Sequence, residues 1–345
     1  MLPEDSEPSK GRVIVLEIVP SDKSLLLRAE REVKGGVFSI AALDSRLVLG
    51  VGSNVQVMGF SLSGESGRGY ELSNETSCNG QVISLFVKSR GEGLILLGDM
   101  LCSVTLLRLS SQAETSAGSK LTEESRDFSS HNLRYVDFLD DDHFLAADDC
   151  ENLFILCSGL QERSSASGGG GGAGGRMEMA MEYHLGERVN VFRRGLLNSQ
   201  PRVEGVQASE PRSLLYGCVS GAVGCVSSLS EESFKFLLVM QKCLRAALSG
   251  VGGLSHEDWR CFHNERRMGS QLNAIDGDLI ESFLDLSRDQ MKAVVNQINF
   301  ELQSANATEE RDVRLASSAM ETGASLPFLS VTDVIRTVEN LATTH

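Results

Sequence analysis

Apolar and polar positions recur as one unit over the first two-thirds of the chain: an apolar strand, a tight polar turn, two further apolar strands and a variable polar stretch. The first copy places strands at 36–43, 47–50 and 55–60, with turns at Asp44 and Ser45 and at Gly52, Ser53 and Asn54. The second places them at 82–87, 94–98 and 103–107, turning through Arg90, Gly91 and Gly93. A third runs 133–139, 144–147 and 152–156 around Asp140, Asp141 and Asp142. The fourth has 189–192, an excursion between Pro201 and Pro211, then 214–217 and 224–226. Strands covered on both faces read as continuous apolar runs instead of strict alternation, and a period of about 45 to 55 residues is that of propeller blades. The spacing predicts polar surface loops at 62–80, 110–124 and 304–326, and a flexible Ser/Gly loop at 164–175.

Helical spacing replaces the strand pattern after Ser230. Phe234, Leu237, Leu238, Leu244 and Leu248 share one face, Glu231 and Glu232 suit the first turn, and glycines at 250, 252 and 253 stop the helix. Ser255 is expected to cap a helix over 256–267, and Asp278 one whose stripe is Leu279, Ile280, Phe283 and Leu284. Ser287 and Gln290 form a capping box before Met291, Val294, Val295 and Ile298. Ser330 and Asp333 open a last helix carrying Val334, Ile335, Val338 and Leu341.

With 345 residues and 41% hydrophobic content the chain can bury a substantial core. Its 47 acidic against 32 basic residues, a formal charge of −15, disfavour broad contact with nucleic-acid phosphates. The eight cysteines contain no C-x-x-C pair and are expected to be buried reduced thiols, as suits a cytosolic or nuclear compartment. The acidic N-terminus is unlike a secretory signal, and no segment has the length to cross a bilayer, so a soluble intracellular protein is expected.

Candidate chemistry is sparse. His256 and His263 lie about two helical turns apart with no ligand set completing them, and 140–143 falls where a turn needs polar residues. The Gly run lacks the Lys-Ser/Thr of a phosphate loop, and no G-x-S-x-G occurs. No catalytic residue, metal site or cofactor is assigned, and an enzyme built on a propeller is a remote alternative.

Several runs carry a family resemblance. They are 32–39, 97–99 with Ser103 and Val104, 126–128, 139–145, 152–154, 184–187 with 189–192, 227–230, Trp259 and Arg260 with Phe262 and His263, and above all 275–287. This set resembles the large-subunit family of the DNA damage-binding protein, the propeller adaptor of cullin-RING ubiquitin ligases. Large propeller subunits of the polyadenylation and splicing machineries share that architecture.

The resemblance implies a mainly β fold with an α C-terminus: a partial β-propeller of about four to five blades followed by a small helical domain. The expected boundaries are a disordered 1–10, a C-terminal propeller at 11–229 and a helical domain at 230–345. The resemblance further implies a chain cut short at its N-terminus, or a ring closed by another polypeptide. The implied role is a non-enzymatic scaffold in a nuclear (also cytoplasmic) ligase acting in DNA damage response and protein ubiquitination. Its partners would be propeller-type substrate receptors, with a cullin reached only through a middle propeller absent here, DNA or RNA contacted at most indirectly, and no membrane. A subunit of a pre-mRNA cleavage/polyadenylation or splicing complex is the alternative.

By matching motifs, the receptor-facing surface would comprise Phe38, Ser39, Ile83, Phe86, Val87, Met100, Cys102, Arg126, Asn132, Asp149, Arg188, Asn190 and Val219. Three depart from the family's pattern, with Cys102 in place of Arg, Asn132 in place of Trp and Arg188 in place of Phe.

Overall fold

The computed structural model describes residues 8–63, 69–91, 93–110, 119–159, 175–195, 213–316 and 328–344. The chain divides into two compact units: Met1–Phe192 with Gly217–Ala222 and His263–Arg266, and Arg193–Tyr216 with Val223–Phe262 and Arg267–His345. Its sheets follow one another in a four-blade propeller arrangement, with a few helices toward the C-terminus, as the strand spacing predicts.

The first unit opens with a two-stranded antiparallel ribbon, β1 (Lys10–Val19) and β2 (Ser24–Lys34). A four-stranded sheet follows in sequence order: β3 (Val37–Leu43), β4 (Arg46–Val51), β5 (Asn54–Ser63) and β6 (Gly69–Asn79). The second blade is β7 (Ser84–Arg90), β8 (Leu94–Asp99), β9 (Val104–Ser110) and β10 (Lys120–Arg126). The third is β11 (Leu133–Phe138), β12 (His143–Asp148), β13 (Asn152–Cys157) and β15 (Glu178–His184). Between the last two, β14 (Gly175–Arg176) crosses back to lie parallel to β10. The strands β16 (Val189–Arg194), β17 (Ser213–Cys218) and β18 (Val223–Ser227) make a three-stranded sheet in that order.

Covered strands explain the apolar runs. Every residue of β8 is buried, and Ile95, Leu96 and Leu97 are fully so, each side chain contributing roughly 1.5–3 kcal/mol by leaving water. Leu43, Val48, Val55 and Val57 of the first blade share a core with Val87, Ile95, Leu97, Leu107 and Leu121 of the second. Blades come this close because small residues stand at the contact: a Cβ on Gly50 would lie 2.6 Å from the Ser84 carbonyl oxygen.

The predicted polar loops are corrected at three places. The stretch 62–80 is largely strand, since β5 reaches Ser63 and β6 spans Gly69–Asn79. Residues 120–124 belong to β10. β6 ends its sheet and β10 is followed only by the two-residue β14, so Ser, Thr and Glu suit their exposed positions and no apolar run betrays them. The third lies in the C-terminal part, where helix continues well past Ser304. The glycine-rich tract is outside the described residues save Gly175, as are 1–7 and the excursion at 196–212. The expected disordered start gives way to β1 at Lys10.

In the second unit α1 (Glu231–Ala247) is capped by Ser230, whose hydroxyl accepts from the Ser233 N–H. Its buried face is Leu237, Met240, Gln241, Cys243 and Leu244, whereas Leu238, placed on that stripe by the sequence, is 47% exposed. Ser255 caps α2 as expected, but α2 spans only His256–Trp259 and not 256–267. The chain goes over to extended β19 (Phe262–His263), and the Cys261 thiol donates to the Gly269 carbonyl near the short β20 (Met268–Gly269).

The helix α3 (Gly277–Glu281) begins after Asp276, not Asp278, and passes into a 3-10 turn at Ser282–Asp285. The box of Ser287 and Gln290 opens α4 (Arg288–Ala316), and Ser330 with Asp333 opens α5 (Val331–Thr344). Ile280, Phe283, Met291, Val294, Val295, Ile298, Val334 and Val338 pack with the α1 face into one core.

Under these helices lies one buried ionic knot. Asp276 accepts from Arg260 Nε and His256 Nε2, each at 2.7 Å, while its own N–H donates to Gln241 of α1. Arg245 donates to His256 Nδ1 at 2.9 Å, so that nitrogen carries a lone pair and the ring proton sits on Nε2, facing Asp276. Burial alone raises the Asp276 pKa, but the hydrogen bonds from His256 and Arg260 and the adjacent positive charge prevail and hold it well below the usual carboxylate range.

The eight cysteines are free thiols. Only Cys218 and Cys243 are buried and the other six are half-buried, more exposed than expected. No helix among the described residues is long and apolar enough to cross a membrane.

Candidate functional site

Asp99 organises the surface on which most of the expected partner-binding residues of the second blade sit. It ends the fully buried strand β8, where an acid stands at the close of four apolar residues and a glycine. One carboxylate oxygen accepts the backbone N–H groups of Val82 (2.6 Å) and Ile83 (3.1 Å). The other accepts those of Leu101 (2.8 Å) and Cys102 (2.9 Å). The Met100 N–H donates to the Ile83 carbonyl at 3.1 Å, and Ser103, with φ +55°, lets the turn close back onto β9.

Four dipoles converging on one carboxylate hold two loops together and replace the water it has lost. The loops thereby present Val82, Met100 and Leu101, each 44–48% exposed, on a backbone with little freedom. These three exposed apolar side chains make up the candidate interaction surface.

The third blade repeats the device. Asp148 ends β12 and accepts from the N–H groups of Cys150 and Asn152, both at 3.0 Å, and from the Asn152 amide. Asp127, after β10, takes the Ser103 hydroxyl at 2.6 Å and the Ser129 N–H at 2.9 Å, leaving Phe128 66% exposed between its neighbours.

The other expected residues differ in how far they are exposed. Phe38 and Val219 are exposed at strand ends, and Asn190 is exposed on β16. Ser39 spends its hydroxyl on the Ser84 carbonyl, and Phe86 is half-buried with its ring 5.3 Å from that of Tyr135. Val87 is buried in the core shared by the first two blades.

The polar members are engaged locally. Arg126 donates to the Gly80 carbonyl at 3.1 Å and pairs with Glu123 at 2.6 Å. Asn132 donates to Asp149 at 3.3 Å, and Arg188 stands 3.5 Å from Glu151. Cys102 is half-buried, its thiol pushed up by burial and then by Asp99.

Sequence reasoning did not single out Val82, Leu101 or Phe128, nor the part played by Asp99. The legible signal was an acid closing an otherwise apolar strand, since such a group is buried only where N–H donors meet it.

Among the described residues no group of three or more His, Cys, Asp or Glu side chains is arranged to hold a metal ion. Asp140 acts as the turn residue expected, accepting from the N–H groups of Asp142 and His143 and contacting His143 Nδ1 at 3.0 Å. His256 belongs to the Asp276 knot, and the His263 ring lies 4.4 Å from that of His184.

Comparison with known proteins agrees with this architecture. The family model described as the CPSF A subunit region matches residues 1–285. The chain is 36% identical over 315 residues to DNA damage-binding protein 1a of Arabidopsis thaliana, and 35% identical over 315 residues to DNA damage-binding protein 1 of Solanum lycopersicum. DNA damage-binding protein 1 of Oryza sativa subsp. japonica is 34% identical over the same length. Each alignment covers 91% of this chain but 27% of the relative, so the chain spans about a quarter of the length of the relatives it matches. Because that family model covers well over half of its length, the chain belongs to the CPSF A subunit region family.

Proposed function

We propose that the chain is a non-enzymatic protein-interaction scaffold, working as the receptor-binding part of an adaptor in a nuclear cullin-RING ubiquitin ligase. The observation that carries this reading is the pair of Asp99-bound loops, which fix Val82, Met100 and Leu101 in exposed positions. Apolar anchors held on rigid backbone lose little entropy on binding, which is what a hot spot requires. The names of the relatives add DNA damage binding as the setting. In this reading propeller-type receptors are the direct partners, a cullin is reached through another part of the assembly, and DNA or RNA is contacted only through partners. The charge of −15 supports the last point.

The family description itself favours a second reading, a propeller subunit of a pre-mRNA cleavage/polyadenylation or splicing complex. The two readings predict different co-purifying proteins.

Met100→Asp in the protein expressed in its own cells is the discriminating change. A charge at an apolar anchor should cut capture of propeller-type receptors by about tenfold or more, while cullin association survives. Arg126→Glu is the poorer probe, because it also breaks the contacts with Glu123 and Gly80. Receptor capture unchanged by Met100→Asp would remove these loops from the interface.

A further inference from the structure

A cavity of about 210 Å³ opens beside Leu101, lined also by His131, Asn132, Asp149, Glu265 and Arg266. It is several times the volume of a water molecule in the liquid, roughly 30 Å³. Asp148 reaches its wall but is already taken up by the Cys150 and Asn152 donors. Asp149 is not. It is half-buried, and its side-chain hydrogen bonds come from the neutral Asn132 amide at 3.3 Å and, weakly, the Cys150 thiol.

Glu265 is exposed at the same rim. Burial first, and then the charges of Asp148, Asp149 and Glu265, push the Cys150 thiol pKa up. Arg266 is the one cationic side chain of the lining, against three carboxylates.

The geometry points to a partner segment that lays apolar side chains on Val82, Met100 and Leu101 and inserts one arginine or lysine into this cavity against Asp149 and Glu265. This rests on the proposed interaction surface and specifies its partner's chemistry. Leu101 belongs to both the apolar rim and the cavity wall, so one short segment can reach both. A charged head in the cavity gains two carboxylates, and an adjacent apolar anchor excludes water from the contact.

Selection of a phage-displayed random peptide library on the 345-residue chain tests this, followed by affinity measurements with synthetic copies of the selected peptides. The expected peptides place Arg or Lys next to apolar residues. Their affinity should fall about tenfold on Asp149→Asn, on Glu265→Gln, or when the peptide's Arg is replaced by the neutral isostere citrulline, and should be lost on Met100→Asp. Thermal melts of the variants, matched to the parent, keep a folding defect from imitating the result. Peptides lost on Met100→Asp but indifferent to Asp149→Asn would overturn the cationic preference and leave the surface standing. Peptides indifferent to both, or an empty selection, would overturn both. Displacement by magnesium chloride but not by sodium chloride of equal ionic strength would make the cavity a metal site and overturn the inference.

Discussion

Asp99→Ala is expected to destabilise the first unit by roughly 3 kcal/mol, because four backbone N–H groups lose one shared charged acceptor. The sum stays below four separate charged hydrogen bonds, since the loops carrying Val82 and Leu101 are exposed enough to take up water once freed. Asp99→Asn should fall between, as the amide nitrogen cannot accept and one pair of donors is lost. Denaturant unfolding reads the stability. Hydrogen exchange at the amides of Val82, Ile83, Leu101 and Cys102 reads the order of the loops, and unchanged protection there would refute the assignment. Loss of partner binding should accompany loss of protection, because an anchor that must be ordered on binding costs affinity.

The second large effect belongs to the helical unit. Asp276→Asn takes from the buried Arg260 guanidinium the carboxylate it pairs with at 2.7 Å. Removing one partner of a buried pair costs about 3–5 kcal/mol, so the helical signal of this unit should be lost at markedly lower denaturant concentration. The pH dependence follows from the depressed pKa of Asp276. A carboxylate whose folded pKa lies below its unfolded one contributes stability that is fully present above the unfolded value and is lost as pH falls through the folded one. The parent should therefore lose stability as pH is lowered through and below the ordinary value of 3.8, and the variant should show a flatter profile there. Equal acid profiles would mean that Asp276 is not the titrating anchor.

How much was legible in the sequence follows from what each residue faces. The strands β4, β8 and β12 were visible because neighbours cover them on both sides, and Leu94–Asp99 is buried throughout. The strands β6 and β10 were hidden because their outward positions carry Glu, Ser, Thr and Asn, the residues that also make loops. The capping boxes at Ser287 and Ser330 were read correctly, since their chemistry is local.

Asp276 was missed as a helix start because its carboxylate makes no cap bond and turns instead to Arg260 and His256, 16 and 20 residues away. The helix expected to reach residue 267 ends at Trp259 for a similar reason: Cys261 and Phe262 go over to extended chain at the Gly269 contact, a distant partner no periodicity announces. At the candidate site the exposed residues Phe38, Met100 and Val219 came from motif matching, whereas Val82 and Leu101 owe their display to hydrogen bonds from Asp99, invisible to it.

The central claim, that the loops held by Asp99 are where protein partners dock, is tested most directly by site-specific photocrosslinking. A benzophenone amino acid placed at position 100 of the protein in its own cells should form adducts with propeller-type receptor subunits. The same group at the exposed Phe300 of the second unit should not, and Asp99→Ala should abolish the adducts. Receptor adducts that persist in the Asp99→Ala background, or that arise from position 300 and not from 100, would contradict the account.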